Sequence, residues 1–396
     1  MSGRSITLLA IGFTATATAT ATAMVAVIAT KPGRIVAPQG SRVCAWQAAP
    51  AEDPHRALFD RFTSVVVVNR HEAWATGDFF TGEEGGRSGA FMERWDGRSW
   101  RLVEAPVPPG SDLHSVSASS RADAWAAGAA GGGQLIEHWD GKRWEKVTAP
   151  RVRGGLPFAI ASLAPDNVWA VGVAKSARGL RTLTEHWDGT RWTVVPSPNP
   201  ASAAGGRFAI LLAVTATSST DVWAAGYRGR TGSNVSRTLI EHWDGRRWTI
   251  IPSPNTRAPN GVVNNILFSI SSARKDDVWA VGSWGGLAGG YGGRGDHAVA
   301  LQWDGSRWSR ITMPTQDGRS LLSSVVALGE QVWAVGDQGV GPRRRPLILR
   351  LDGARFAAVA APPGFDLRSI SADQSGKNLW AVGSSSTKPL AARCAP

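Results

Sequence analysis

Apolar and polar residues alternate along most of the chain in runs of five to ten, and the runs are broken by Gly, Asp and Ser. LLAVTATS from Leu211, DVWAAG from Asp221, TLIEHWD from Thr238 and RRWTIIP from Arg246 give one complete unit of four such runs. Each carries the period-two signature of a strand. After residue 29 no stretch has the spacing of an amphipathic helix. One pentapeptide recurs seven times: AWATG from Ala73, AWAAG from Ala124, VWAVG from Val168, VWAAG from Val222, VWAVG from Val278 and Val332, and LWAVG from Leu379. The first six copies are followed by a second signature, such as HWDGKRW ending at Trp144, whose Asp-Gly between apolar runs predicts a hairpin turn.

From Trp74 to Trp380 the mean spacing of the pentapeptide is 51 residues. That is too long for the common helical repeats and suits a four-stranded blade, so the expected fold is an all-β, seven-bladed β-propeller spanning residues 40–396. Of 19 Trp, all but Trp46 and Trp284 occupy repeated positions, which reads as packing between blades. The pattern resembles kelch-type propellers, here in a WDG-repeat form like that of bacterial secreted proteins. Kelch blades likewise end a strand in Gly and place a Trp before a Pro about one hairpin later. Copper oxidases related to kelch use Tyr and His ligands, and a chain with 2 Tyr offers little for that chemistry.

The two ends of the repeat array complement each other. PLAARCAP, residues 389–396, matches the third strand of the preceding blade and then stops, so the last blade lacks its outer strand. RVCAWQAAP, from Arg42, matches KRWEKVTAP, from Lys142, which puts Cys44 where the second Trp of a hairpin stands and Cys394 where the first stands. The amino-terminal strand is therefore expected to complete the seventh blade, with a Cys44–Cys394 disulfide in place of the missing hairpin. Such a bond persists in an oxidising compartment. Residues 1–29, with Arg4 and then an uncharged Ala/Thr-rich stretch, read as an export signal cleaved near Ala23 or Ala29, the alternative being an uncleaved membrane anchor. Residues 30–39 form a linker, and the expected location is secreted or cell-envelope.

The net charge of +12 falls almost wholly on loops of one rim, which also vary most between repeats. Arg178, Arg181, Arg228, Arg230, Arg237, Arg343, Arg344 and Arg345 are the candidates for holding carboxylates or phosphates, with Tyr227, Trp284 and Tyr291 as candidate stacking surfaces. The leading expectation is a monomeric binding module for an anionic polysaccharide or a protein partner, with nucleic acid disfavoured and no cofactor. The alternatives are a glycoside hydrolase or lyase, using acids of the same rim such as Asp78, Asp112, Asp337 and Asp366, and a structural surface module. His138, His186 and His242 recur in EHWD one blade apart, which suits scaffold better than a metal site.

Overall fold

The computed structural model describes residues 44–52, 59–82, 88–177, 179–199, 206–233, 235–258, 261, 263–285, 296–314 and 318–395. The proposed signal and linker, together with Arg178 and Tyr291, lie outside the described residues.

Each of the first six units forms four consecutive antiparallel strands. Blade 1 runs Phe59–Asn69, Glu72–Phe80, Ser88–Trp95 and Trp100–Val103. Blades 2 to 6 follow in order, with first strands at Asp112–Ser120, Leu156–Ala164, Arg207–Ser218, Val263–Arg274 and Ser320–Leu328. Blade 7 is made of Asp366–Ala372, Leu379–Ser384, Pro389–Ala395 and, as its outer strand, Ala45–Ala49 from the other end of the chain. Short parallel pairings beyond the rim, Leu180 with Phe208 and Ser236 with Asn264, join blades 3, 4 and 5.

The hydrophobic core is divided into seven clusters, each shared by two neighbouring blades, including the pair formed by blades 7 and 1. The repeated tryptophans make these joints. The aromatic that opens each fourth strand packs edge-on against the strand-two Trp of the preceding blade, with centroids 5.1–5.9 Å apart and planes at 75–89°. Trp100 on Trp380 closes the ring from blade 7 to blade 1. Nearer the axis, serine hydroxyls replace sheet pairing between blades. The backbone N–H groups of Val65, Val116, Ile160, Val325 and Ile370 donate to Ser369, Ser64, Ser115, Ser269 and Ser324 of the preceding blades.

Cys44 and Cys394 are disulfide-bonded, with Cα atoms 5.4 Å apart. The register differs from the sequence expectation by two residues. Cys394 stands where a hairpin's first Trp stands, but Trp46 faces it, just as Trp144 faces Trp139. Trp46 is buried and packs edge-on against Trp333, so it fills the seventh aromatic joint and Cys44 precedes the strand. Only a large ring can fill that inter-blade slot, which is why Trp46 takes it and the smaller Cys44 does not. The spacing from Trp46 to Pro50 equals that from Trp192 to Pro196 and from Trp248 to Pro252, a signal available in the sequence.

The glycine that ends each pentapeptide also has a structural task. It faces the point where the first strand bulges, between Leu113 and Ser115 in blade 2 and between Leu211 and Ala213 in blade 4. A Cβ at Gly128 or Gly226 would collide with the carbonyl oxygen of Asp112 or Ile210. Glycine thus permits the bulge, and the bulge turns one residue per blade towards the axis.

Candidate functional site: an arginine cleft on one rim

The strand-two ends, the strand-one starts and the loops from strand two to strand three share one rim. At the junction of blades 3 and 4 they enclose a cleft of about 680 Å³. Arg181 comes from the third strand of blade 3 (Gly179–Trp187). Arg207 begins the first strand of blade 4, Arg228 and Arg230 end its second (Asp221–Arg230), and Arg237 lies on its third (Val235–Trp243). Four sequence candidates therefore meet here, and Arg207, which a reading of the loops from strand two to strand three missed because it opens strand one, joins them.

The register makes the charge density explicit. Arg228 stands directly opposite Arg237, and Arg207 directly opposite Arg230. Like charges in cross-strand pairs are destabilising. No Asp or Glu is among the described residues that line the cleft, and Arg181, Arg228, Arg230 and Arg237 make no ion pair with a described residue. Arg228 is half-buried and its Nε has no hydrogen-bond partner there. Asn199 and Ser233 add neutral polar groups, while Leu180 and Val235 expose more than a third of their surface on the same wall.

Other candidates sit elsewhere. The triplet Arg343–Arg345 is split by its backbone: Arg343 closes a 3₁₀ turn and Arg345 starts a strand, both exposed, whereas Arg344 points inward to Asp337 and Asp366 at 2.9 and 3.1 Å. Tyr227 packs edge-on against Phe208 with centroids 5.6 Å apart. Trp284 ends a strand of blade 5, leans on His297 at 4.8 Å and is capped by the Arg310 guanidinium at 5.2 Å. Neither ring lines the cleft.

Of the rim acids, Asp78, Asp337 and Asp366 are engaged by arginines, whereas Asp112 is exposed and makes no ion pair with a described residue. Arg61 holds Asp78 through two hydrogen bonds of 2.7 Å, and Arg319 and Arg344 both reach Asp337. The recurring histidines lie on the opposite rim. His138 stacks on Trp125 at 4.1 Å and bonds to Asp123, as His242 does with Trp223 and Asp221. Burial pushes the Asp123 carboxyl up, but hydrogen bonds from His138, Ser119, Ser162 and Trp125 outweigh it and leave its pKa below the usual value.

The fold places this chain among the β-propellers. Solved structures similar to it include U3-55K (TM-score 0.56, 13% identity, 88% of this chain and 98% of that one). A second is YCF48 bound to D1 peptide (0.53, 14%, 88% and 98%), and a third is the WD40 β-propeller domain of Doa1 (0.52, 11%, 89% and 96%). No protein-family model matches the chain, and no curated protein matches it by sequence.

Proposed function

We propose that this protein is an exported, kelch-like propeller that works as a binding module, and that the arginine cleft between blades 3 and 4 holds an acidic segment of a partner protein. One observation carries the reading: Arg228 and Arg237, directly opposed across their strands and without an ion pair to a described residue, converge with Arg181 and Arg230 on a cleft whose described lining includes no carboxylate. Such an arrangement costs free energy until anions arrive, and guanidinium forks match carboxylates in geometry. The apolar flanks Leu180 and Val235 suit an acidic peptide with neighbouring aliphatic side chains. A polysaccharide would favour open aromatic platforms, and Trp284 and Tyr227 are packed against other side chains instead. YCF48, a neighbour in fold, is described with a bound peptide, in keeping with this use of the architecture. Export is supported by the Cys44–Cys394 disulfide. Among the described residues no helix is long and apolar enough to cross a membrane.

Poly-glutamate and chondroitin sulfate, titrated into the protein at low and high salt, test the proposal. Poly-glutamate is expected to bind, to weaken as salt rises, and to lose at least tenfold in affinity in the Arg228→Gln/Arg237→Gln double variant. Binding that ignores both salt and the double substitution overturns the cleft, and a response to the sulfated glycan alone replaces the protein partner with a polysaccharide.

A further inference from the structure

On the same rim, at the axis, the seven bulged residues meet. They are Thr63, His114, Phe158, Leu212, Phe268, Ser323 and Arg368, one from each blade, and together with nearby charged groups they line a cavity of about 610 Å³. Their identities divide the ring. Blades 3, 4 and 5 supply Phe158, Leu212 and Phe268, which belong to none of the inter-blade core clusters and are half-exposed at the cavity wall. Blades 6, 7, 1 and 2 supply Ser323, Arg368, Thr63 and His114.

The polar half crowds its arginines onto few carboxylates, and the buried Nε atoms of Arg319, Arg344 and Arg368 all lack a hydrogen-bond partner among the described residues. Of the four acids that line the cavity, Asp78 is occupied by Arg61 and Asp337 by Arg319 and Arg344, while the exposed Asp112, beside His114, makes no ion pair with a described residue. Asp366 is fully used: one oxygen accepts from the Ser384 N–H and hydroxyl, and the other serves both Arg344 and Arg368 at 3.1 Å. Arg368 thus shares a single carboxylate oxygen with another guanidinium, and 32% of its side-chain surface stays exposed at the cavity wall. His114 donates its Nδ1–H to the Pro157 carbonyl at 3.0 Å, which fixes the ring beside Phe158, 5.3 Å away between centroids.

We infer that this axial cavity is a second binding site, distinct from the arginine cleft, for a carboxylate that carries an apolar body. The carboxylate sits on the open donors of Arg368, and the apolar body lies against Phe158, Leu212 and Phe268. The volume falls in the range of small-ligand pockets and accepts a group the size of a phenylalanine. That chemistry is shared by a free aryl or alkyl acid and by the apolar carboxy-terminal residue of a peptide chain.

Calorimetric titration of the full chain distinguishes these sources and tests the site. The probes are N-acetyl-phenylalanine, its carboxamide, and an acetylated peptide of three alanines ending in phenylalanine. The acid is expected to bind at least tenfold more tightly than the amide. Arg368→Gln is expected to erase that difference, Leu212→Asn to weaken the acid severalfold, and Arg246→Gln, on an Asp-Gly hairpin away from both sites, to leave it unchanged. Tighter binding of the peptide assigns the site to a chain end, and equal or weaker binding to a free acid. Equal binding of acid and amide by the unaltered protein, or binding of neither, overturns the inference, and this comparison needs no variant to fold. Unfolding midpoints of each variant accompany the titrations, and a folded Arg368→Gln that still prefers the acid also refutes it.

Discussion

Glu137 lies on the third strand of blade 2, wholly buried, with both carboxyl oxygens lacking a hydrogen-bond partner among the described residues. Burial raises its pKa from 4.5 to about 7, with Lys146 pulling weakly the other way. A carboxyl whose pKa is raised by folding contributes stability that is complete below the unfolded value, near 4.5, and is lost as pH rises through about 7. At one unit per 1.36 kcal/mol the shift amounts to about 3 kcal/mol, an order-of-magnitude figure. The same strand position holds Leu301 in blade 5 and Leu349 in blade 6, so the architecture accepts an apolar residue there. Glu137→Leu is therefore expected to be more stable than the parent at pH 8 by about 2–3 kcal/mol, with a smaller difference at pH 5. For a propeller of about 350 residues that is a rise in unfolding midpoint of roughly 3–4 °C. Glu137→Gln, which keeps the shape and removes the titration, should also flatten the dependence on pH. Differential scanning calorimetry of the three proteins from pH 4.5 to 8.5 measures the effect. A difference between Leu variant and parent that stays constant with pH, or a variant less stable at pH 8, would show that the carboxyl is solvated or paired and refute the reasoning.

Three further outcomes follow from the geometry. The Cys44→Ser/Cys394→Ser protein should unfold at lower denaturant, since the bond closes 350 residues of chain; the chain-entropy relation gives a ceiling of about 5–6 kcal/mol and strain subtracts from it. A denaturant midpoint equal to that of the oxidised parent would mean that the outer strand needs no tether. Gly226→Ala should cost several kcal/mol, against the gain of up to about 1 kcal/mol expected when alanine replaces glycine on an open strand, because the new methyl meets the Ile210 carbonyl; urea titration reads this directly. Arg237→Gln should raise stability slightly, by a few tenths of a kcal/mol and less at high salt, because it relieves Arg228 across the strand pair while removing an anion-binding group.

Much of this structure can be read from the repeat alone, because a repeated residue reports a repeated contact. The pentapeptide Trp, the Asp-Gly turn and the paired cysteines each mark a place where all blades solve the same packing problem, and so the fold and the disulfide were legible. The register of the closing strand was less so, since matching the ends by Cys rather than by the Trp-to-Pro spacing shifts it by two residues. The ligand-facing groups are harder for the opposite reason: a site breaks the repeat. Arg344 belongs to a contiguous basic triplet, yet strand geometry sends it to Asp337 and Asp366 while its neighbours face solvent. The cleft depends on Arg207, whose partner Arg230 lies beyond a turn of the chain, and it emerges only once the strands are paired. The axial ring is the clearest instance. Its seven members range from Phe and Leu to Ser, Thr, His and Arg, and what unites them is their place opposite the pentapeptide glycine, where the backbone bulges. In this propeller the constant residue fixes a position, and the variable residue held there decides what the axis can bind.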